Sequence, residues 1–422
     1  MCKTIFHYFP DLYDRIREIG DVRKKQVYEL TELLMAAIMM SVFKKGSRNA
    51  FNNERESEEF VRNYEGIFGV RFPSADTVDK IMRITDENYP EKLKIHLVKI
   101  LIKKKVFQKS RVFGRYMIAA DGSHVMTVSE GHCVHCLKRT SEKSGKTTYF
   151  HNVVEVKLIT ENGFSISSAT EWVENPEGKY DKQDCGLKAS VRLAEKLEKD
   201  FPRLPICICG DGLYPNQAFF RICRENEWEF IVSFRDGNLP SVWEEVLILK
   251  GLSEENSRQI RICEGEKKTV REYTWVNDID YKGFMPNRSE CVEESDGKAV
   301  RFVSVSSLNA DFFRVTEITG AGRMRWKTEN GGFDIRKNHG YGLGHKYSRV
   351  SVTATKNYCQ CMQIAHMINQ LSGLSSLSVP LMTGKMTVKH IWEYMIGELR
   401  HIILNLKILT ELLKRRIQFR YG

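Results

Sequence analysis

Three acidic residues, Asp121, Asp211 and Glu329, carry the types and settings that phosphoryl-transfer chemistry requires. Asp121 and Asp211 each end a short apolar run, Tyr116-Met117-Ile118-Ala119-Ala120 and Ile206-Cys207-Ile208-Cys209-Gly210, and each is followed by glycine. Runs of this kind predict buried strands that deliver a carboxylate to a sheet edge. Glu329 lies in the basic segment Arg323-Met324-Arg325-Trp326-Lys327-Thr328-Glu329-Asn330. Arg325 and Glu329 are four residues apart, so a helix there would put an acid and a cation on one face. Three converging carboxylates could hold two divalent cations about 4 Å apart, which activate an attacking oxygen and stabilise a leaving one. Hard oxygen ligands suit Mg²⁺, with Mn²⁺ as a substitute.

The elements that must position these groups follow from periodicity and punctuation. Residues 21–43 place Val27, Leu30, Leu34 and Ile38 at helical spacing, and Ser74 reads as the cap of a helix after Phe72-Pro73. Residues 91–109 put Leu93, Leu97, Ile100 and Leu101 on one stripe with lysines, Lys94 among them, around the rest: a solvated face or a DNA-backbone contact. Beyond residue 110 the pattern turns to strands. Segments 147–159 and 164–168, joined through Asn162-Gly163, predict two antiparallel strands after the one bearing Asp121. A helix over 182–199 with Leu187, Val191 and Ala194 inward, the strand before Asp211, a helix over 216–227 and a strand over 230–234 complete the pattern. Three antiparallel strands followed by helix, strand, helix, strand predict an α/β sheet of ribonuclease H type.

Between residues 239 and 311 alternating stretches at 259–263, 269–276 and 299–306, with turn pairs Glu264-Gly265 and Asp296-Gly297, predict a β-rich insertion. A helix bearing Glu329 follows, then helices over 347–371 and 388–420, the last ending in Lys414-Arg415-Arg416. The expected organisation is a helical N-terminal DNA-binding region (1–110), a core in two parts (111–238 and 312–376) split by the insertion (239–311), and a C-terminal helical region (377–422).

Asp121-Gly122-Ser123, Gly210-Asp211-Gly212-Leu213-Tyr214, and Arg325-Trp326-Lys327-Thr328-Glu329-Asn330 with Gly332-Phe333 and the stretch 337–345 resemble the DDE transposases of bacterial insertion sequences. The likeness is to the branch whose ribonuclease H-like core is split by a β-strand insertion, and it covers roughly residues 20–375. Two positions depart from that branch: Gly322 stands where a tyrosine is common, and Arg336, beside Lys337, where a lysine is. Gly331 and Gly332 also follow directly on the glutamate motif, which ends at Asn330. The resemblance implies that Asp121 bridges two Mg²⁺ ions, that Asp211 binds one and Glu329 the other, and that Arg325 holds a phosphate while Arg336 or Lys337 grips its neighbour. It also implies that Trp275, on an insertion strand, approaches transposon-end DNA, where it could stack on a displaced base or else be core. Arg48 is a further candidate phosphate contact, or part of a plain loop.

The expected partners are double-stranded DNA, both transposon ends and target, and a second copy of the chain. The formal net charge of +11 agrees with a polyanionic partner. The longest nearly unbroken apolar run, 33–43, is too short to span a bilayer, which points to a reducing cytoplasm, and the resemblance implies a bacterial, nucleoid-associated protein. Eleven irregularly spaced cysteines do not form a secreted disulfide framework. His132-Cys133-Val134-His135-Cys136 contains a thiolate pair of zinc half-site spacing, but with no second half-site at ordinary distance it reads as a loop of reduced thiols. Cys207, Cys209, His345 and His366 read as core, and Cys359 and Cys361, two apart on a predicted helix, do not share a face. Two other functions compete with transposition: a decayed or repurposed sequence-specific DNA-binding protein, and a purely hydrolytic nuclease.

Overall fold

The computed structural model describes every residue except 22, 131–132, 176–182, 253–255, 265–266, 377, 382–385, 415–416, 418 and 420–422. Strand β1 (Tyr116–Val128) continues well past Asp121 and pairs antiparallel with β3 (Thr147–Ile159). Along its other edge β3 receives β2 (Leu137–Thr140) near its start and β4 (Ser165–Val173) over the rest. The β3–β4 turn has Gly163 at φ +103°, a conformation that glycine adopts without the cost a side chain would bring. Strand β5 (Ile206–Gly210) runs parallel to β1, and β6 (Glu229–Ser233) parallel to β5.

Helices cross between these parallel strands, as parallel pairing requires. Gly186–Asp200 precedes β5 and buries Ala189, Leu193 and Leu197, a stripe at four-residue spacing. Val191, expected inward, is exposed because that stripe runs through Leu193. Gln217–Glu225 connects β5 to β6, is capped by the Asn216 side chain accepting from Phe219 N, and buries Phe220 and Cys223.

The insertion strands extend this same sheet. β7 (Ser257–Glu264), β8 (Lys267–Val276), β9 (Asn287–Ser295) and β10 (Lys298–Ser306) form an antiparallel meander, and β10 pairs with β6. The result is a mixed parallel and antiparallel sheet of ten strands. Asp296 (φ +53°) and Gly297 (φ +72°) make the two-residue hairpin turn expected between β9 and β10. β9 is too polar for periodicity to reveal; ion pairs such as Arg271–Glu293 satisfy its charges. Of the turn pair Glu264-Gly265, residue 265 lies outside the described residues, as do Lys182 and Arg415-Arg416.

Two buried helices, Leu30–Val42 and Val352–Gly373, pack on each other beside the sheet. The first begins at a capping box of Glu29 and Glu32, so Val27 lies before the helix and is 74% exposed rather than inward. The C-terminal helix Val388–His401 docks on the N-terminal helices, where Asn63 Nδ2 donates to Leu399 O (2.9 Å) and Ile402 O (2.7 Å). Ile402 is extended, which breaks the expected helix over 388–420 before Leu406–Leu413 begins. Among the described residues no helix is long and apolar enough to cross a membrane.

Candidate functional site

The β1–β5 register aligns Met117 with Cys207 and Ala119 with Cys209. Asp121 and Asp211 each lie two residues beyond the last of these pairs, on neighbouring parallel paths about 4.8 Å apart. Side chains alternate along a strand, so Asp121 shares the face of Met117 and Ala119. That face packs under the helix Val315–Arg323 through Val315, Ile318 and Ala321, with Cys207 and Cys209 buried between, as expected of core thiols.

Local backbone hydrogen bonds hold both aspartates, Asp121 within β1 and Asp211 at the turn that follows β5. Asp121 Oδ1 accepts from Gly122 N at 2.8 Å, and Asp211 Oδ1 from Leu213 N at 2.9 Å. Glycine is needed on both sides of Asp211. A Cβ at Gly210 would stand 2.8 Å from the Tyr214 ring, and one at Gly212 would stand 2.8 Å from the Arg235 side chain that crosses it. The Asp211 turn is thus clamped by an aromatic ring and a guanidinium stem.

Glu329 arrives on a broken helix. Arg325 precedes a single turn, Trp326–Thr328, that packs on β1 and β3, and Glu329 opens a π-helical turn, Glu329–Asp334. Such wide turns recur at functional sites. Lys157 explains this one. Its ammonium donates to Thr328 O at 3.2 Å and lies 3.2 Å from the centre of the Phe333 ring, filling the space where a Cβ at Gly332 would stand 2.6 Å from Nζ. The glycine after the glutamate motif therefore makes room for a buried lysine.

The electrostatics tie these groups together. Burial raises the Asp121 carboxyl above its ordinary value and the charge of Glu329 raises it further, while Lys157, the Gly122 N–H and Arg325 oppose the rise. Tyr214, partly buried and raised to about 12 by desolvation, feels both Asp211 and Asp121. Burial depresses Lys157, and Glu155 and Asp121 counter it.

Arg325 Nε is buried without a hydrogen-bond partner among the described residues. Its side chain lines a cavity of about 230 Å³ with Arg235, Arg301, Arg323, Ser304 and Trp326. Arg301 is paired with Asp236 and Arg323 with Glu293. Trp326, 54% exposed, is the aromatic that sequence reasoning passed over, although it adjoins Arg325 in the motif.

Other expected contacts are corrected. Arg336 is 0% exposed and its Nη2 donates to Glu155 Oε2 at 2.7 Å, so it cannot grip a phosphate; Lys337 beside it is exposed. Trp275 is 6% exposed in the core with Tyr273 and Cys291, which rules out stacking on a base in this conformation. Arg48 sits on a short helix, Arg48–Asn52, paired with the buried Asp79 at 2.9 Å. Lys94, expected on the outer lysine face, is buried, and donates to Thr170 Oγ1 (2.7 Å) and Gln363 Oε1 (2.8 Å). His366 is buried as expected, whereas His345 is exposed. Glu155 and Lys157 were missed. The signal was two charges at alternate positions in Val153-Val154-Glu155-Val156-Lys157-Leu158-Ile159, hence on one face of an otherwise apolar strand.

Among the described residues, one group of three His, Cys, Asp or Glu side chains brings its ligand atoms within 4.8 Å of one another: Cys133, Cys136 and His151, not the three carboxylates. In comparisons with known proteins, the sequence matches no family model and no curated protein.

Proposed function

We propose that the chain is a DDE-type transposase that binds the terminal inverted repeats of its own mobile element, cleaves there and joins the ends to new DNA. The observation that carries this reading is the approach of Asp121, within β1, and Asp211, just past the end of β5, where the parallel pairing of the two strands stops, with Glu329 near enough to raise the Asp121 carboxyl. The order β4-β3-β1-β5-β6, three antiparallel strands followed by two parallel ones with crossover helices, supports a ribonuclease H-like core.

Asp121, Asp211 and Glu329 would hold Mg²⁺, and a desolvated carboxyl with a like-charged neighbour suits cation binding, since the cation removes the repulsion. Bound Mg²⁺ would supply activation of the attacking oxygen and stabilisation of the leaving one. Arg325 would hold a phosphate through its guanidinium fork, and Arg235 and the exposed Lys337 would contact the backbone. Double-stranded DNA is the substrate, the chain acts as a dimer on it, and the site of action is the bacterial nucleoid.

The test is incubation with a labelled linear fragment ending in the native flanking repeats, with and without Mg²⁺, comparing wild type with Asp211→Ala. The expected result is Mg²⁺-dependent nicking at the repeat end by wild type, none by the variant, and DNA binding by both. Adding a pre-cut 3′-hydroxyl end and a plasmid target separates joining from hydrolysis. Unchanged cutting by Asp211→Ala would remove Asp211 from the site.

A further inference from the structure

The segment between β1 and β2 returns to the sheet at Cys133 and Cys136, and the side chain that meets them comes from β3. Cys133 Sγ and Cys136 Sγ are 3.5 Å apart, too far for a disulfide bond. His151 Nε2 lies 3.6 Å from the first and 3.3 Å from the second. An ion with tetrahedral angles, Zn–S near 2.3 Å and Zn–N near 2.0 Å, sets its sulfurs about 3.7 Å apart and sulfur and nitrogen about 3.5 Å apart. The observed triangle agrees to within a few tenths of an ångström. The half-site spacing Cys-x-x-Cys thus finds its missing partner not along the chain but across the sheet.

We infer that Cys133, Cys136 and His151 bind a zinc ion that fastens the β1–β2 connection onto β3. Two thiolates and an imidazole are a borderline-soft donor set, which selects zinc over the hard Mg²⁺ of a carboxylate site. The surroundings are built to hold it. Cys136 and His151 are buried and Cys133 is partly so. The Cys133 backbone N–H donates to Cys136 Sγ at 3.3 Å, which fixes that sulfur's position. Asn175 then pins the knuckle from beyond β4: its Nδ2 donates to Cys136 O (3.0 Å), its N–H to His135 O (3.1 Å), and its carbonyl oxygen lies 2.9 Å from His135 Nδ1. His135 is thereby turned to the backbone, and a solvent molecule would fill the fourth position of the tetrahedron. Binding releases the thiol protons to solvent and changes no oxidation state.

His151 pairs with Met126 on β1, five residues from Asp121 along a strand that bulges between His124 and Met126. The zinc clamp would lock that hairpin end. Its role is structural and stands apart from the proposed catalysis.

The test is metal analysis of full-length protein purified under reducing conditions from zinc-supplemented medium. The expected content is about one zinc per chain, falling to background in Cys136→Ser and in His151→Asn and unchanged in a control at the exposed Cys263→Ser. Co²⁺ replacing the zinc should give the intense visible bands of a tetrahedral ion and a thiolate charge-transfer band in the near ultraviolet. His151→Cys should keep the metal and strengthen the charge-transfer band, a readout that survives if the other variants fold poorly. Folded wild type that carries no zinc and gives no tetrahedral Co²⁺ spectrum overturns the inference. So does zinc retained at full content in Cys136→Ser, or a Cys133–Cys136 disulfide as the resting state.

Discussion

Glu155 stands directly opposite Asp121 across the antiparallel β1–β3 pair, so the two carboxylates share one face of the sheet. They meet opposite fates. Burial pushes the Glu155 carboxyl up, but the charges of Arg336, Lys157 and Lys94 outweigh it and hold the group below the usual carboxylate range. Asp121 has less compensation and is raised. One carboxylate is satisfied by the protein; the other is left in need of a cation.

The Glu155–Arg336 pair is fully enclosed. Replacing one partner strands the other charge without water, so Glu155→Gln should cost about 3–5 kcal/mol in urea denaturation. Adding Arg336→Met should recover much of that loss. Because the folded Glu155 pKa is lowered, its contribution is present above the ordinary carboxylate range and is lost as pH falls through the lowered value. A loss below about 1 kcal/mol would mean that the pair behaves like an exposed one.

Asp121 predicts the reverse. Its raised carboxyl means that the ionised form is penalised in the folded state at neutral pH, and the penalty disappears as pH falls below the ordinary aspartate value. Asp121→Asn should therefore raise the melting temperature in a chelating buffer, and that gain should vanish in acid. Mg²⁺ should stabilise the wild type and leave the variant unmoved. A variant less stable than wild type at neutral pH and free of metal would show that Asp121 is a structural group.

The glycines after Glu329 separate in the same way. A Cβ at Gly332 would overlap the buried Lys157 side chain, whereas one at Gly331 would meet Ser165 Cβ at an ordinary 3.5 Å. Gly332→Ala should destabilise by about 1–3 kcal/mol, as overpacking does. Gly331→Ala should be neutral, or gain up to about 1 kcal/mol from helix propensity. Thermal melts of the two variants read this directly, and equal effects would discard Lys157 as the reason for the wide turn.

Much of the sheet was legible because its signals are local. The apolar runs before Asp121 and Asp211, Asn162-Gly163 and Asp296-Gly297 each specify a strand or turn from a few residues. What escaped depends on contacts distant in sequence. Arg336 is drawn inward by Glu155 and Lys94 by Thr170 and Gln363, partners that lie 76 to 269 positions away. His151 joins the cysteine pair only because β3 pairs with β1 and β2. The wide turn that opens at Glu329 arises from Lys157, which no periodicity within the motif could announce.

Lys94 gives a pH test of this buried network. Burial lowers its pKa to about 8, with Glu91 and Glu155 partly opposing the shift. Below that value the ammonium is charged both folded and unfolded, and the cost of enclosing it is fully present. Between about pH 8 and the unfolded lysine value near 10.4 the folded chain has released a proton that the unfolded chain keeps, so stability from this group rises with pH. Other groups titrate in this range, notably buried thiols raised by desolvation, so the comparison must be with Lys94→Met. In urea denaturation from about pH 7.5 to about pH 10, wild type should gain on the variant with a slope approaching about 1.4 kcal/mol per pH unit. A difference that stays flat, or turns toward the variant as pH rises, would mean that Lys94 keeps its proton in the fold and that the acids around it outweigh its burial.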